Sequence, residues 1–233
     1  MKGSKKKYLI IIPTFNEKNN IKFIIKKIFK NIKFKHDVLF VDDNSNDGTQ
    51  EIIRKIKSKN ILLIVREKKL GIGSAHKFGI EYGYKNNYQY IITMDCDGTH
   101  DPIYIKAMLK LLKTNDLIIT NRFKGKNSLA EWSIYRKLIT KLRHFVVTTI
   151  FNTDLDSSGA FRCYNSKKIK INDILSARNN GYSFFTESTI ILSKKYKIDQ
   201  IPILLPKRYA GSSKMNFVDI LLGFFSIILI YFK

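Results

Sequence analysis

Ile91-Ile92-Thr93-Met94-Asp95-Cys96-Asp97-Gly98-Thr99-His100-Asp101-Pro102 runs from apolar and β-branched residues into an Asp-x-Asp, a glycine and a proline. Beyond it Ile103, Ile105, Met108, Leu109 and Leu112 recur at helical spacing. The pattern predicts a strand, a turn and a helix, with two carboxylates at the C-terminal tip of the strand, where open α/β sheets form their ligand crevice. Carboxylates one residue apart at such a tip can both face a cleft. A hard cation such as Mg²⁺ or Mn²⁺, itself holding phosphate oxygens, is the usual reason. Acidic residues also begin turns and cap strand ends with no ligand present, so the flanking chain has to decide between the two readings.

Outward from this segment, strand-like runs recur at Tyr8 to Thr14, Val38 to Asp42, Ile61 to Val65, Tyr90 to Asp95 and Leu117 to Thr120. Ile21, Ile24, Ile25 and Ile28 repeat at helical spacing between them, as do Ile52, Ile53 and Ile56, and residues 73–84 and 102–113 read as helical. Alternating apolar strands and amphipathic helices predict βαβ units and an α/β fold with a mostly parallel sheet. The strand ends share a chemistry: Pro13-Thr14-Phe15-Asn16-Glu17, Asp42-Asp43-Asn44-Ser45-Asn46-Asp47-Gly48-Thr49, the Asp-x-Asp, and Asn121-Arg122. In a parallel sheet these tips lie along one edge, so Glu17, Asp43, Asp95, Asp97 and Arg122 are expected to converge, which turn chemistry alone does not require.

Asp42 and Asp43 can serve the turn and the cap of a helix beginning near Thr49, or accept hydrogen bonds from a base or ribose, one aspartate for each task. Arg66-Glu67-Lys68-Lys69-Leu70-Gly71-Ile72-Gly73-Ser74-Ala75 contains a Gly-x-Gly, but it follows the third strand and lacks the Gly-Lys-Ser/Thr of a P-loop; it reads as a tight basic loop leading into a helix.

With 233 residues the chain can bury one full core, so a single domain with an appended C-terminal segment is expected. Its 42 Lys+Arg against 19 Asp+Glu leave +23, a surplus that favours anionic partners, although the lysines are spread through an Ile-, Lys- and Asn-rich sequence that also fits compositional bias. Cys96 and Cys163 have no partner at zinc-like spacing, which fits a reduced, cytosolic compartment. The basic stretch Met1 to Lys7 precedes an apolar run too short for a signal peptide.

Five blocks in order carry a resemblance: Pro13 to Glu17, Val41 to Thr49, Arg66 to Ala75, Asp95-Cys96-Asp97, and Arg208-Tyr209-Ala210-Gly211-Ser212-Ser213-Lys214. Together they resemble the dolichol-phosphate (polyprenol-phosphate) mannosyltransferases, inverting enzymes of glycosyltransferase family 2 with the GT-A fold. The resemblance implies a GT-A domain over residues 1–215 and transfer of mannose from GDP-mannose to dolichyl or polyprenyl phosphate at the cytosolic face of a membrane, the endoplasmic reticulum in a eukaryote, with Mg²⁺ or Mn²⁺. By motif, Pro13, Phe15, Glu17, Val41 and Asp43 would hold the nucleoside, and Asp95, Cys96 and Asp97 would sit by ribose and diphosphate. Asp97 would bind the metal, with Thr99 at the second metal position. Arg122, Arg208 and Lys214 would face phosphates, making Asp97 and Arg122 the catalytic pair, and Arg122, Arg136 and Thr140 would meet the acceptor phosphate. The chain departs from the family pattern at Cys96, where Ala is usual, at Gly98, which replaces an apolar residue, and at Thr99, a weaker ligand than its counterparts.

The implied chemistry suits the residues. Departure of a nucleoside diphosphate builds negative charge that a divalent ion and cationic side chains stabilise. A phosphate monoester acceptor, mostly ionised at neutral pH, hardly needs a general base. That agrees with four histidines (His36, His76, His100, His144) that form no evident cluster and no His–carboxylate arrangement. Residues 208–214 are expected to form a closing loop, and Glu187 either orients basic residues in the site or starts a surface helix.

Ile220 to Phe232 is apolar but only 13 residues long where a membrane span needs roughly 20. Residues 216–233 are therefore expected to form a helix lying on a membrane surface or packed on a partner, such as a small anchoring subunit, with a buried core helix as the alternative. The competing functional readings are the same chemistry with UDP-glucose or a non-lipid acceptor, a basic nucleic-acid-binding α/β protein, and a non-catalytic membrane adaptor. Strand-tip carboxylates would repel a phosphate backbone, so no nucleic-acid partner is expected.

Overall fold

The structure is a computed structural model describing residues 7–212, 214–215 and 217–232. The basic residues 1–6, Ser213 within the Arg208 to Lys214 motif, Asn216 and Lys233 lie outside the described residues.

Strand β1 (Tyr8–Thr14) lies inside the sheet and its side chains alternate between two cores. Ile10 and Ile12 join the cluster formed with Ile21, Ile24, Ile25 and Ile28 of α1 (Lys18–Asn31), while Leu9 and Ile11 join that of Ala75 and Ile80 from α3 (Ile72–Lys85). Period-two alternation in a strand buried on both faces requires a helix layer on each side. Strand β2 (Asp37–Asp42) and β3 (Ile61–Val65) extend the parallel sheet on one side of β1, with α2 (Thr49–Arg54) between them, and β4 (Tyr90–Thr93) on the other. After a 3₁₀ turn at Pro102–Tyr104 come α4 (Ile105–Leu111) and β5 (Leu117–Asn121).

The second half departs from simple alternation. Helix α5 (Ile134–Phe151) leads to β6 (Arg162–Asn165), then α6 (Ile171–Leu175), α7 (Ser183–Ser193), β7 (Ile198–Pro202) and α8 (Phe217–Tyr231). The seven-stranded sheet has the order β3-β2-β1-β4-β6-β5-β7. Strand β6 runs antiparallel between β4 and β5, so the expected mostly parallel sheet holds with one reversed strand. Arg162 is fully buried at the start of β6, where its guanidinium donates to the carbonyls of Ser157, Gly159 and Phe185 and to Ser188 Oγ.

Helix α8 is not the buried core helix of the alternative reading. From Val218 to Tyr231 only Gly223, Ser226 and Ile227 are buried, and Ser226 Oγ lies 2.7 Å from Ser183 Oγ at the start of α7. Leu221, Leu222, Phe225, Ile228 and Leu229 stay exposed, and α5 beside it exposes Ile134, Tyr135, Leu138, Leu142 and Phe145. No helix among the described residues is long and apolar enough to cross a membrane.

Candidate active site

The chain leaves β4 at Thr93, and Asp95 to Asp101 form the turn expected from the sequence. Asp97 Oδ1 accepts the Thr99 N–H at 3.0 Å and the Thr99 hydroxyl at 2.7 Å, and Asp101 caps the 3₁₀ turn through the Ile103 N–H at 3.1 Å. Gly98 has φ +81, and a Cβ there would meet Phe23 at 2.6 Å. The Phe23 ring, with Tyr209 stacked on it at 3.9 Å, fills the space above the glycine, so an apolar side chain at position 98 is neither needed nor accommodated.

The sheet order brings the other tips alongside. Of the two tasks expected of Asp42 and Asp43, the turn falls to Asp42. Asp42, fully buried, accepts from the Thr14 hydroxyl (2.8 Å), the Ser45 N–H (2.8 Å) and Gln50 Nε2 (3.0 Å) and so holds the turn. Asp43 pairs with Arg66 Nε at 2.6 Å and lines a cavity of about 230 Å³ with Pro13, Phe15, Glu17, Lys69 and Lys214. Burial pushes the Asp43 carboxyl above its ordinary range, and Arg66 only partly reverses this. The same turn caps α1: Thr49 Oγ1 accepts the Glu17 N–H and Asp47 Oδ2 the Lys18 N–H, satisfying amides that have no partner within the helix.

Arg208 and Tyr209 lie over the Asp-x-Asp turn, and Lys214 reaches the tip of β1. Arg208 Nη1 stands 2.5 Å from Asp97 Oδ2, the Tyr209 N–H donates to the Asp97 carbonyl at 2.9 Å, and Lys214 Nζ donates to the Phe15 and Asn16 carbonyls and to Glu17 Oε1 at 3.0 Å. Asp97 is thereby 3% exposed. A cavity of about 340 Å³ is lined by Asp95, Thr99, Arg122, Arg136 and Arg208, and a third of about 270 Å³ by Arg122, Arg136, Thr140 and Arg143 together with Tyr135 and Ile139 of α5 and Ile220 of α8. Tyr182 lines all three, so they meet around its ring. Burial and the neighbouring Asp95 carboxylate raise its hydroxyl pKa to about 12.

Arginines dominate the inner wall. Arg122 is held by Asp156 through Nε at 2.8 Å and Nη2 at 2.7 Å. Burial would push the Asp156 carboxyl up, but Arg122 outweighs it and holds the group below the usual carboxylate range. Arg136 stacks on Trp132 at 3.7 Å and Arg143 donates to Thr186 Oγ1 at 2.7 Å; neither has a carboxylate within ion-pair distance among the described residues. Burial first, then the crowding of like charges, lowers the pKa of both, Arg143 to about 10.

Two sequence-expected residues do not face a cavity with their side chains: Val41 is fully buried in one core and Cys96 4% exposed in the other, so only their backbone can meet a ligand. His100 Nδ1 lies 3.7 Å from Asp95 Oδ2, beyond hydrogen-bond distance, so the two do not form the His–carboxylate arrangement of a general base. Glu187 starts no surface helix. It is 3% exposed within α7 and accepts the Asn179 N–H at 2.9 Å. Tyr182, Trp132, Asp156 and Arg143 carry no local sequence signal, since each acquires its place only when α5 and α7 pack beside the sheet. His100 did carry one, five residues beyond Asp95 in the same turn.

A model of glycosyl transferase family 2 matches residues 9–171, which span β1 to the start of α6 and include the Asp-x-Asp turn. The chain belongs to glycosyl transferase family 2. It is similar to the undecaprenyl-phosphate mannosyltransferase of Micrococcus luteus (28% identity over 212 residues, 89% of this chain and 87% of that one) and to the polyprenol monophosphomannose synthase of Mycolicibacterium smegmatis (26% over 214 residues, 89% and 80%). Among solved structures, this family 2 chain resembles the glucosyl-3-phosphoglycerate synthase of Mycobacterium tuberculosis in complex with Mn²⁺, UDP-glucose and phosphoglyceric acid, with TM-score 0.70 at 15% identity over 97% of this chain and 80% of that one. At that identity the likeness is one of fold, and the fold is of the GT-A type. The family 2 chain is a glycosyltransferase.

The carboxylates and hydroxyl of this family 2 turn form an oxygen donor set suited to Mg²⁺ or Mn²⁺. No group of three His, Cys, Asp or Glu among the described residues encloses an ion on its own. An ion at Asp97 would therefore draw the rest of its shell from ligand phosphates and water, which is the usual Mg²⁺ pattern.

Proposed function

We propose that the protein transfers mannose from GDP-mannose to a polyprenyl or dolichyl phosphate, inverting the anomeric carbon, at the cytosolic face of a membrane. The observation that carries this reading is the third cavity. Its lining combines Arg122, Arg136 and Arg143 with Tyr135 and Ile139 of α5 and Ile220 of α8, cations and apolar side chains together, as a phosphate on a hydrocarbon chain requires. The names of the two bacterial relatives, an undecaprenyl-phosphate mannosyltransferase and a polyprenol monophosphomannose synthase, support the same substrates.

In this reading Pro13, Phe15, Glu17 and Asp43 hold the nucleoside, Phe15 lying under Lys69 at 4.6 Å. Asp97, with Thr99 beside it, binds a divalent ion, for which the Mn²⁺ in the structural relative gives support. When bound, such an ion supplies positive charge to the diphosphate. Arg208 and Lys214 close on the leaving group, and Arg122, fixed by Asp156, faces the gap between donor and acceptor. Arg136 and Thr140 take the acceptor phosphate, and Arg143 adds a further cation to the same wall. The phosphate oxygen attacks the anomeric carbon from the side opposite the leaving diphosphate. One displacement inverts the centre, and the dianionic nucleophile needs no base to take a proton.

The apolar side chains that α5 and α8 leave exposed would lie against the bilayer that holds the acceptor, with a basic surface drawn to anionic headgroups. A small anchoring subunit on the same face is the alternative covering.

The test is incubation of purified protein with Mn²⁺ or Mg²⁺, a short polyprenyl phosphate and either GDP-mannose or UDP-glucose, following lipid-linked sugar by mass. Mannosyl lipid from GDP-mannose is expected. Glucosyl lipid would keep the mechanism and replace the donor, and no product with either would overturn the lipid-acceptor reading.

A further inference from the structure

His100 has no part in the mechanism above, yet its ring is held from several sides. It is 7% exposed and stacks on Phe161 with centroids 5.2 Å apart. Its Nδ1 accepts the Asp95 backbone N–H at 2.9 Å. The reason lies in the sheet: the Met94 N–H still bonds the Ile11 carbonyl at 3.1 Å, but one residue later the chain has left the sheet and the Asp95 amide has no strand partner. A buried amide must find an acceptor, and the imidazole five residues on supplies it, closing the turn that carries both carboxylates.

That bond fixes the chemistry of the ring. A nitrogen accepting from an amide carries no proton, so the imidazole is neutral with its hydrogen on Nε2. Nε2 bonds to no described residue, yet it is not among the buried polar atoms left without a partner, unlike His36 Nε2 and both nitrogens of His76. It therefore reaches the cavity of about 340 Å³ that His100 lines with Asp95, Thr99 and Arg122.

We propose that His100 is a positioning residue of this site: Nδ1 pins the Asp95 amide and so aims the Asp-x-Asp, while the Nε2–H is offered to an oxygen of the donor sugar diphosphate. The second half rests on the function proposed above; the first does not. Two substitutions separate the halves. His100→Asn sets a carbonyl oxygen near the Nδ1 position and leaves the cavity without its donor. His100→Gln sets an amide nitrogen near the Nε2 position and leaves the Asp95 amide without its acceptor.

The experiment combines ¹⁵N NMR of the histidine rings, with His100 assigned from its loss in the His100→Asn variant, and steady-state kinetics with GDP-mannose and Mn²⁺. The expected spectrum of the wild-type protein shows a neutral His100 protonated on Nε2 alone; a proton on Nδ1 overturns the pin whatever the enzyme does. With a hydrogen bond counted at about tenfold, His100→Asn should keep kcat within about threefold and raise the donor KM about tenfold. His100→Gln should keep the donor KM and lower kcat about tenfold or more, as a misaimed carboxylate would. Equal effects of the two folded variants on kcat and KM would reduce His100 to packing and overturn the proposal. If wild-type protein turns over neither donor, it is the proposed function that fails, and the ring tautomer is still decided by the spectrum. A variant lacking native circular dichroism is replaced by the same substitution measured at lower temperature, the spectrum of the wild type deciding the pin in either case.

Discussion

Arg208 Nη1 rests 2.5 Å from Asp97 Oδ2, so a cation from the C-terminal loop occupies the carboxylate that a divalent ion would need. The two cannot share that oxygen. With Asp97 in its proposed role as metal ligand, Arg208 would have to leave it on arrival of the ion and would then be free for a diphosphate. Arg208→Gln is therefore expected to tighten Mn²⁺ binding to the ligand-free protein by about threefold to tenfold, the scale of a partly exposed ion pair. The same variant should weaken binding of the nucleotide sugar. Titration of free Mn²⁺ by electron paramagnetic resonance reads the first effect and calorimetry the second. Unchanged or weaker Mn²⁺ binding would show that Arg208 does not compete for Asp97. Asp97→Asn should abolish both metal binding and sugar transfer, whereas in a nucleic-acid-binding protein it would leave affinity intact or raise it.

Asp156 and Arg122 form a buried pair, with 1% and 13% of their side chains exposed. Removing one partner strands the other charge, at a cost of about 3–5 kcal/mol. Asp156→Asn should thus lower the urea midpoint clearly and cost activity by releasing Arg122. The pH dependence has a definite sign. A carboxyl held below its unfolded value of about 3.9 contributes stability above that pH and loses it as pH falls through the folded value. Wild-type stability should fall more steeply than that of Asp156→Asn between pH 5 and about pH 2, and parallel curves would contradict the assignment.

Gly73 is where α3 meets α7. A Cβ there would lie 2.5 Å from Phe184 Cβ and 2.6 Å from the Gly181 carbonyl, neither of which is the free end of a side chain. Gly73→Ala should cost about 1–3 kcal/mol through forced separation of the helices. Gly223→Ala in α8 is the control: its Cβ meets only Arg143 Nε, at an ordinary 3.7 Å, and the change should be neutral or mildly stabilising in chemical denaturation.

Phe225 and Leu229 are 57% and 52% exposed on the outer face of α8. Replacing both with Glu should abolish flotation with anionic vesicles while leaving turnover of a short, water-soluble polyprenyl phosphate within about twofold, since neither side chain lines a cavity. Retained vesicle binding would move the membrane contact elsewhere. Loss of turnover with the soluble acceptor would mean that α8 also shapes the site.

Much of this protein was legible one window at a time. The five strands read from the sequence all form, because strands covered by helices on both sides leave near-continuous apolar runs, and Ile21, Ile24, Ile25 and Ile28 leave a helical repeat for α1. The Asp-x-Asp turn, the loop that begins α3 at Gly71 and the turn held by one of the two adjacent aspartates were legible too, since turn chemistry is short in range. Tertiary structure alone decided the rest. Strand β6 begins with a buried arginine whose four acceptors arrive from residues 157, 159, 185 and 188, so no window around it reads as a strand. Helix α5 buries only Val147 fully and shows a weak apolar stripe, because its outer face is apolar as well. The same holds for the site. Sequence named Asp97, Arg208, Arg122 and Arg136, but which charge meets which, Arg208 on Asp97 and Arg122 on Asp156, depends on segments far apart in the chain. Periodicity is a property of neighbours along the backbone; charge pairing is a property of neighbours in space, and only the closed fold makes them neighbours.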